Sequence, residues 1–183
     1  MQQIFSLVCG QNAAHTWAPG GELLPLCQRC TGFYTGAAIA LILLLVFRPP
    51  LNGRYRWFHV ALVLGMTPFG FHLVPHGAVL RTVSGQWFGF GVVGLLWLLP
   101  GLKSVDKQGP AARSRRLHLI LGLTSIILLP AFACWGGASA AIFLPWIAFA
   151  GLTALAVLML VDISIFFSWI FAWIHARTGR ATP

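Results

Sequence analysis

The chain has 183 residues, of which 58% are hydrophobic and 8% are charged, and its formal net charge is +9. Soluble domains carry about 25% charged residues, so this composition excludes a soluble globular protein and indicates a membrane protein. The basic residues stand in short loops between apolar runs, a pattern that sets membrane topology. The positive charge therefore does not predict binding to nucleic acid.

Residues 1–31 precede the first long apolar run and hold three of the four cysteines, Cys9, Cys27 and Cys30, together with His15. Five apolar runs then approach the roughly 20 residues that a helix needs to cross the hydrocarbon core. They lie near residues 32–48, 58–76, 83–102, 117–135 and 139–161. The sequence therefore predicts an all-α fold, a polytopic transmembrane helical bundle of about five spanning helices in one membrane domain.

Several residues within and after these runs shape the expected helices. Pro68 lies inside the second run, where proline predicts a kink or an early end. Residues 162–175 are rich in Trp and Phe, and we expect them to continue as an interfacial helix along the membrane surface. Gly32 and Gly36, like the glycines of the third run, favour close helix packing. We expect this packing within the bundle; a second copy or a membrane-complex partner is the alternative.

The distribution of Lys and Arg predicts the orientation of the chain. Ten basic residues fall on one side of the predicted membrane: Arg48, Arg54, Arg56, Lys103, Lys107, Arg113, Arg115, Arg116, Arg177 and Arg180. Only Arg29 and Arg81 fall on the other side. Because cytoplasmic loops carry the excess of Lys and Arg, we expect the N-terminus outside and the C-terminus in the cytoplasm. The expected location is the cytoplasmic (inner) membrane of a prokaryote, in contact with membrane lipids.

This orientation gathers the cysteines on the outer face. Cys27 and Cys30 have the spacing with which a short turn grips one metal ion, and Cys9 would add a third thiolate. Thiolates favour zinc or Cu(I) over hard cations. We expect zinc, with Cu(I) as the alternative. The site is structural if four protein ligands close it and catalytic if one position stays open.

Histidines on the same face are candidates for the fourth ligand. His72 and His76 are four residues apart, so on a helix they would face the same way. Either of them, or His15, would complete a tetrahedral Cys/His site. For His72 and for His76, an interfacial side chain that is hydrogen-bonded to neighbouring loops is the alternative.

Two other uses of the cysteines stay open. An outer location permits a structural disulfide. A Cys-x-x-Cys pair at the membrane edge also suits a thiol-disulfide oxidoreductase that passes electrons to a quinone, with Arg29 lowering a thiolate pKa. A structural or assembly subunit of a membrane complex is the third class of function.

The stretch "PLCQRCTGFYTG", residues 25–36, resembles the Pro-Leu-Cys-Ala-Arg-Cys-Thr-Gly-Ile-Tyr block of an uncharacterised prokaryotic integral-membrane family, domain of unknown function 2085. "CGQNAAHTW" is similar to an upstream Cys-His-Gln stretch of that family: Cys9 and Gln11 match, and Gly10 replaces the histidine. "LRTVSG" resembles a later Leu-Arg-x-x-Thr-Gly block. The resemblance covers roughly the first half of the chain and implies a membrane protein, without an activity. Loss of the histidine suggests that a ligand has moved, with His15 and His72 nearby, and the alternative is that this member has lost the family's chemistry.

The acidic residues limit the enzyme classes that remain. With three Asp and Glu in the whole chain, hydrolysis by paired carboxylates is nearly excluded. A metal site with an open position would instead activate water against a lipid or an exported substrate. Arg81 and His76 are the candidates for a catalytic role, and Arg81 would suit an anionic headgroup.

Overall fold

The computed structural model describes residues 1–49, 53–98 and 111–178. These ranges contain two single-turn 3-10 helices, Ala13–His15 and Pro19–Gly21. Their α-helices are α1 (Gln2–Ser6), α2 (Gln28–Phe47), α3 (Gly53–Gly65), α4 (Thr67–Gly70), α5 (Ala78–Leu98), α6 (Ala111–Trp135) and α7 (Gly137–Thr178). Outside the described residues lie the end of the third predicted span, residues 99–102, and the basic residues Lys103, Lys107 and Arg180.

Four of these helices are long and apolar enough to cross a membrane. They are Gln28–Phe47 in α2, Ala78–Trp97 in α5, Ser114–Trp135 in α6 and Gly137–Ala176 in α7. A spanning segment must satisfy its backbone hydrogen bonds internally, which a helix does. The predicted all-α polytopic membrane bundle is confirmed.

The second predicted span, near 58–76, differs in length from these four helices. α3 has 13 residues, which corresponds to about 20 Å along the helix axis, whereas the hydrocarbon core is about 30 Å thick. Pro68 then occupies the first turn of the four-residue α4, where its missing N–H does no harm. The helix thus ends before the proline, and residues 71–77 continue without regular structure.

The last predicted span and the predicted interfacial helix form one uninterrupted helix. α7 has 42 residues, with Pro145 inside it and no break near residue 162, because neither proline nor glycine follows Gly151 in the helix. Its length of about 63 Å is twice the thickness of the hydrocarbon core. Large apolar side chains after residue 162 are exposed, including those of Phe166, Trp169 and Phe171. That this part lies along the membrane surface stays a prediction.

α2 and α5 pack with their backbones in direct contact. A methyl group added to Gly32 would overlap the backbone oxygen of Thr82, and one added to Gly85 would overlap that of Arg29. Small residues at helix interfaces permit this approach in membranes. Because residue 32 lies beside 82 and residue 36 beside 86, the two helices run parallel. This interface uses the glycine faces inside one chain; contact with a partner through glycine-rich helices stays a prediction.

The two ends of the bundle carry different residues. We call the end at which α2 and α5 begin the cysteine end, and the end at which α2 finishes and α6 begins the basic end. A hydrogen bond from Ser114 to the Phe47 carbonyl joins α6 to α2 at the basic end. The described basic residues at that end are Arg48, Arg54, Arg56, Arg115 and Arg116. The structure thus separates the charges along the bundle as the sequence predicts; which side is cytoplasmic stays a prediction.

Two histidines lie apart from the cysteine end, inside the bundle. His59 of α3 and His118 of α6 are both fully buried, with ring centroids 6.3 Å apart. His59 stacks on Phe90, and Gly94 leaves the room that its ring occupies. These two histidines therefore belong to the core between α3, α5 and α6 rather than to the cysteine site.

Candidate metal site and its cavity

Three cysteines meet where α2 begins. Cys27 is the N-cap residue of α2, and Cys30 lies in its first turn. Residues three apart on a helix share a face, so the two thiols lie close together. Cys9 follows α1, which is anchored because Phe5 is fully buried and packs against Tyr34. Two segments far apart in sequence thus supply the three thiols.

The three sulfur atoms form a compact group that fits one metal ion. They all lie within 4.8 Å of one another, and the backbone N–H of Cys27 donates a hydrogen bond to the Cys9 sulfur at 3.4 Å. Zinc with Zn–S bonds of about 2.3 Å holds its tetrahedral thiolates about 3.8 Å apart. The thiols are free rather than joined in a disulfide. Spacing and donor type therefore suit zinc or Cu(I).

The surroundings of Cys27 favour its thiolate form. A side-chain hydrogen bond from Cys30 lowers the pKa of the Cys27 thiol to about 5, although partial burial acts in the opposite direction. Contact with Cys9 and backbone hydrogen bonds also lower the pKa. Its position at a helix N-terminus, where the helix dipole stabilises negative charge, acts in the same sense. Because thiolates are the form that binds metal, Cys27 is prepared for coordination at neutral pH.

A cavity of about 290 Å³ opens beside the cysteines. The side chains on its wall that carry chemistry are Cys27, Cys30, Arg29, Arg81, His15 and His72. Neither Asp nor Glu is among the described residues that line it. A metal ion held by the three cysteines would therefore border a cavity that is polar and positively charged.

Two of the predicted histidine ligands are hydrogen-bonded to arginine side chains. Arg81 donates a hydrogen bond to Nδ1 of His15. Arg29 lies with one terminal nitrogen 3.1 Å from Nε2 of His76. An arginine only donates, so each of these ring nitrogens is the acceptor and its lone pair is used.

The second nitrogen of His76 is also engaged, at 2.7 Å from the carbonyl oxygen of Val74, which fixes the Nδ1–H tautomer. Of the three predicted histidines, His72 has neither of these contacts to arginine, and it lines the cavity as an exposed residue. The compact sulfur group itself consists of cysteines and contains none of these histidines. As metal ligands, His15, His72 and His76 stay predictions.

Sequence reasoning did not assign Gln11 a role in the site. Its side-chain amide donates hydrogen bonds to the carbonyls of Pro25, at 2.9 Å, and Gln2, at 3.1 Å. The bond to Pro25 connects the segment after Cys9 to the residues just before the Cys-x-x-Cys turn. Gly10, beside it, lines the cavity and has open space around the position of a side chain. The similarity of "CGQ" to the Cys-His-Gln motif was the available signal for both.

Comparison with known protein families gives a match over the first half of the chain. The family model described as "Predicted membrane protein", domain of unknown function 2085, matches residues 9–95. This segment runs from Cys9 through most of α5. It includes the three clustered cysteines, Arg29, Arg81 and the other described residues that line the cavity. Neither the curated proteins nor the solved structures contain a significant match.

Proposed function

Because residues 9–95 match the model of a predicted membrane protein family, domain of unknown function 2085, we propose that the protein's function resides in this segment. The function that we propose is a transition-metal site at one membrane face. The metal is zinc, and its ligands are Cys9, Cys27 and Cys30. The observation that carries the proposal is the compact group of three sulfur atoms within 4.8 Å, contributed by two distant stretches of chain.

The choice of zinc follows from the donors and their setting. Three thiolates form a soft donor set that hard cations such as Mg²⁺ do not prefer. Zinc prefers four ligands in tetrahedral geometry, so a fourth ligand would join the three thiolates. Cu(I) also binds thiolates and is the alternative metal. His15 and His76 each use a ring-nitrogen lone pair to accept a hydrogen bond from an arginine. The fourth coordination position of the metal is therefore left to His72 or to a ligand in the cavity.

An open fourth position would make the site catalytic rather than structural. Zinc bound by protein ligands with one open position supplies Lewis acidity and lowers the pKa of bound water. Arg29 and Arg81 would bind the negatively charged part of a substrate in the cavity. We place the cysteine end at the outer face of the inner membrane of a prokaryote, on the positive-inside rule. The substrate is then a lipid or an exported molecule.

A thiol oxidoreductase is the second candidate, favoured by the acidic Cys27 thiol beside Cys30. In this reaction the Cys27 and Cys30 thiols would form a disulfide, and a membrane quinone would take up the two electrons and two protons as quinol. The thiolate form of Cys27 would begin such an exchange. Metal binding and this chemistry use the same two sulfur atoms, so one measurement separates them.

The test combines elemental analysis of the purified protein with a count of free thiols under denaturing conditions, before and after reduction. We expect about one equivalent of zinc per chain, with all thiols reactive on denaturation. Cys27→Ser should lose the metal, whereas Cys134→Ser, which removes an exposed thiol outside the cluster, should retain it. Gly10→His should add a ligand from an open position and slow removal of the metal by a chelator. No metal, with two thiols hidden until reduction, would favour the oxidoreductase.

A further inference from the structure

The cavity beside the cysteines carries positive charge that the described part of the chain does not neutralise with a carboxylate. Arg29 and Arg81 both line it, and neither Glu22 nor Asp162, the two acids among the described residues, is on its wall. In the proposed metal site, zinc carries two positive charges and the three thiolates carry three negative charges, so the net charge of the site is one negative charge. The two guanidinium groups outweigh it, and the site and the cavity together keep a net charge of one positive charge.

Both guanidinium groups are held in place by contacts that are not ionic. Arg29 donates to the Phe69 carbonyl at 2.8 Å as well as to His76, while Arg81 donates to His15. Each guanidinium has five N–H donors, so these bonds leave others for a ligand. The Nε of Arg29 is buried and has no acceptor among the described residues, so the terminal nitrogens of this guanidinium are the donors that a ligand can reach.

The lining also favours a small polar ligand. Gln11 and Asn12 add amide groups to the wall, and the volume of about 290 Å³ lies at the lower end of the range of small-molecule sites. Guanidinium groups match the geometry of phosphate oxygens and bind them through paired hydrogen bonds. A phosphoryl group therefore fits both the charge and the donors of this cavity.

We propose that the cavity binds the phosphoryl group of a phosphoester, held between Arg29 and Arg81 and next to the cysteine site. The inference deepens the proposed function, because it names the chemical class of ligand at that site. His15 and His76 are positioning residues, since each orients one arginine. A lipid headgroup and a soluble phosphoester share this chemistry, and the experiment separates them.

The experiment titrates the full-length protein in an uncharged detergent with two probes, inorganic phosphate and a short-chain phosphatidic acid. Binding is measured by calorimetry, and metal content is measured on the same samples. We expect saturable binding of the wild type and a loss of affinity of about tenfold or more in Arg81→Gln and Arg29→Gln, because each removes a charge-assisted hydrogen-bond donor. Arg54→Gln, at the exposed basic end, should bind like the wild type.

The outcomes separate this inference from the proposed function. Tighter binding of the phosphatidic acid than of phosphate identifies a lipid headgroup, and equal binding identifies a soluble phosphoester. Zinc in the protein with no binding of either probe overturns the inference alone, whereas binding without zinc overturns the metal site alone. If Arg81→Gln does not fold, Arg81→Lys keeps the charge without the fork and should still weaken binding. Unchanged affinity in Arg81→Lys and Arg29→Gln would overturn the inference.

Discussion

At the scale of single residues, Cys27 stands at the centre of the cysteine end. Its backbone N–H donates to the Cys9 sulfur, and its own sulfur accepts a hydrogen bond from Cys30. Arg29, in the same Cys-x-Arg-Cys turn, has a different role, because its guanidinium donates hydrogen bonds to the Phe69 carbonyl and to His76. One turn of chain therefore contributes both to the thiolate group and to the charged cavity.

The lowered pKa of Cys27 predicts a pH profile for its alkylation in metal-free, reduced protein. With a pKa of about 5, the thiol is mostly thiolate at pH 6, so its reaction with iodoacetamide should rise with a midpoint near 5. A free cysteine reacts with a midpoint near about 8.5. Peptide mass spectrometry over a pH series measures the profile.

Cys30→Ala is the matched variant for this measurement, because it removes the hydrogen bond that contributes most to the shift. The Cys27 midpoint should then move upward, toward that of a free cysteine. A wild-type midpoint near 8.5 would show that Cys27 is an ordinary thiol.

At the scale of elements, the direct contact of α2 and α5 positions the site. Arg29 and Cys30 lie on α2, Arg81 lies on α5, and the glycines between them set how closely the two helices approach. Trp17 adds a link from the N-terminal segment, since its indole N–H donates to the Thr82 hydroxyl at 2.8 Å. The cavity therefore depends on this helix pair as well as on its own lining.

Gly85→Ala should destabilise the protein and disturb the cysteine site. Its methyl group would overlap the backbone oxygen of Arg29, and a backbone atom cannot turn away as a side chain does. Overpacking of this kind costs about 1–3 kcal/mol, so the thermal midpoint in detergent should fall by several degrees. Gly65→Ala, where a methyl group meets open space, is the control. Equal midpoints for the two variants would contradict the close contact.

At the scale of the whole molecule, the clustered thiols and most of the described basic residues lie at opposite ends of the bundle. The thiols and the cavity lie at the cysteine end, while Arg54, Arg56 and Arg116 are exposed at the basic end. Cys134 lies near the end of α6. The preceding residue, Ala133, packs in one cluster with Leu24 of the N-terminal segment. This exposed thiol therefore reports on the cysteine end.

The positive-inside rule predicts that the cysteine end faces outward. A membrane-impermeant maleimide should then label Cys134 in intact spheroplasts. Arg54→Cys, placed in a background in which all four native cysteines are replaced by serine, should be labelled only after permeabilisation, since Arg54 is exposed at the basic end. Gel-shift detection of the labelled chain measures both. Labelling in the reverse order would move the site to the cytoplasmic face and exclude exported substrates.

Much of the fold was predictable because local properties decide it. The lengths of the apolar runs predict the membrane helices, and the positions of Lys and Arg predict the two unlike ends. Even Pro68 indicates where the second run leaves the helix. The continuity of α7 was not predicted, because a segment rich in Trp and Phe has the same composition whether it forms a surface helix or extends a spanning helix.

The site divides in the same way between sequence and structure. The apolar runs predict a membrane bundle, and the spacing of Cys27 and Cys30 predicts a close pair of thiols, since one helical turn suffices to bring them together. The packing of the chain brings the sulfur of Cys9 to this pair. It also decided that Arg29 binds His76 and that Arg81 binds His15, partners 47 and 66 residues apart. Such pairs depend on how helices pack, and helix packing depends on contacts between distant parts of the chain, which local patterns do not record.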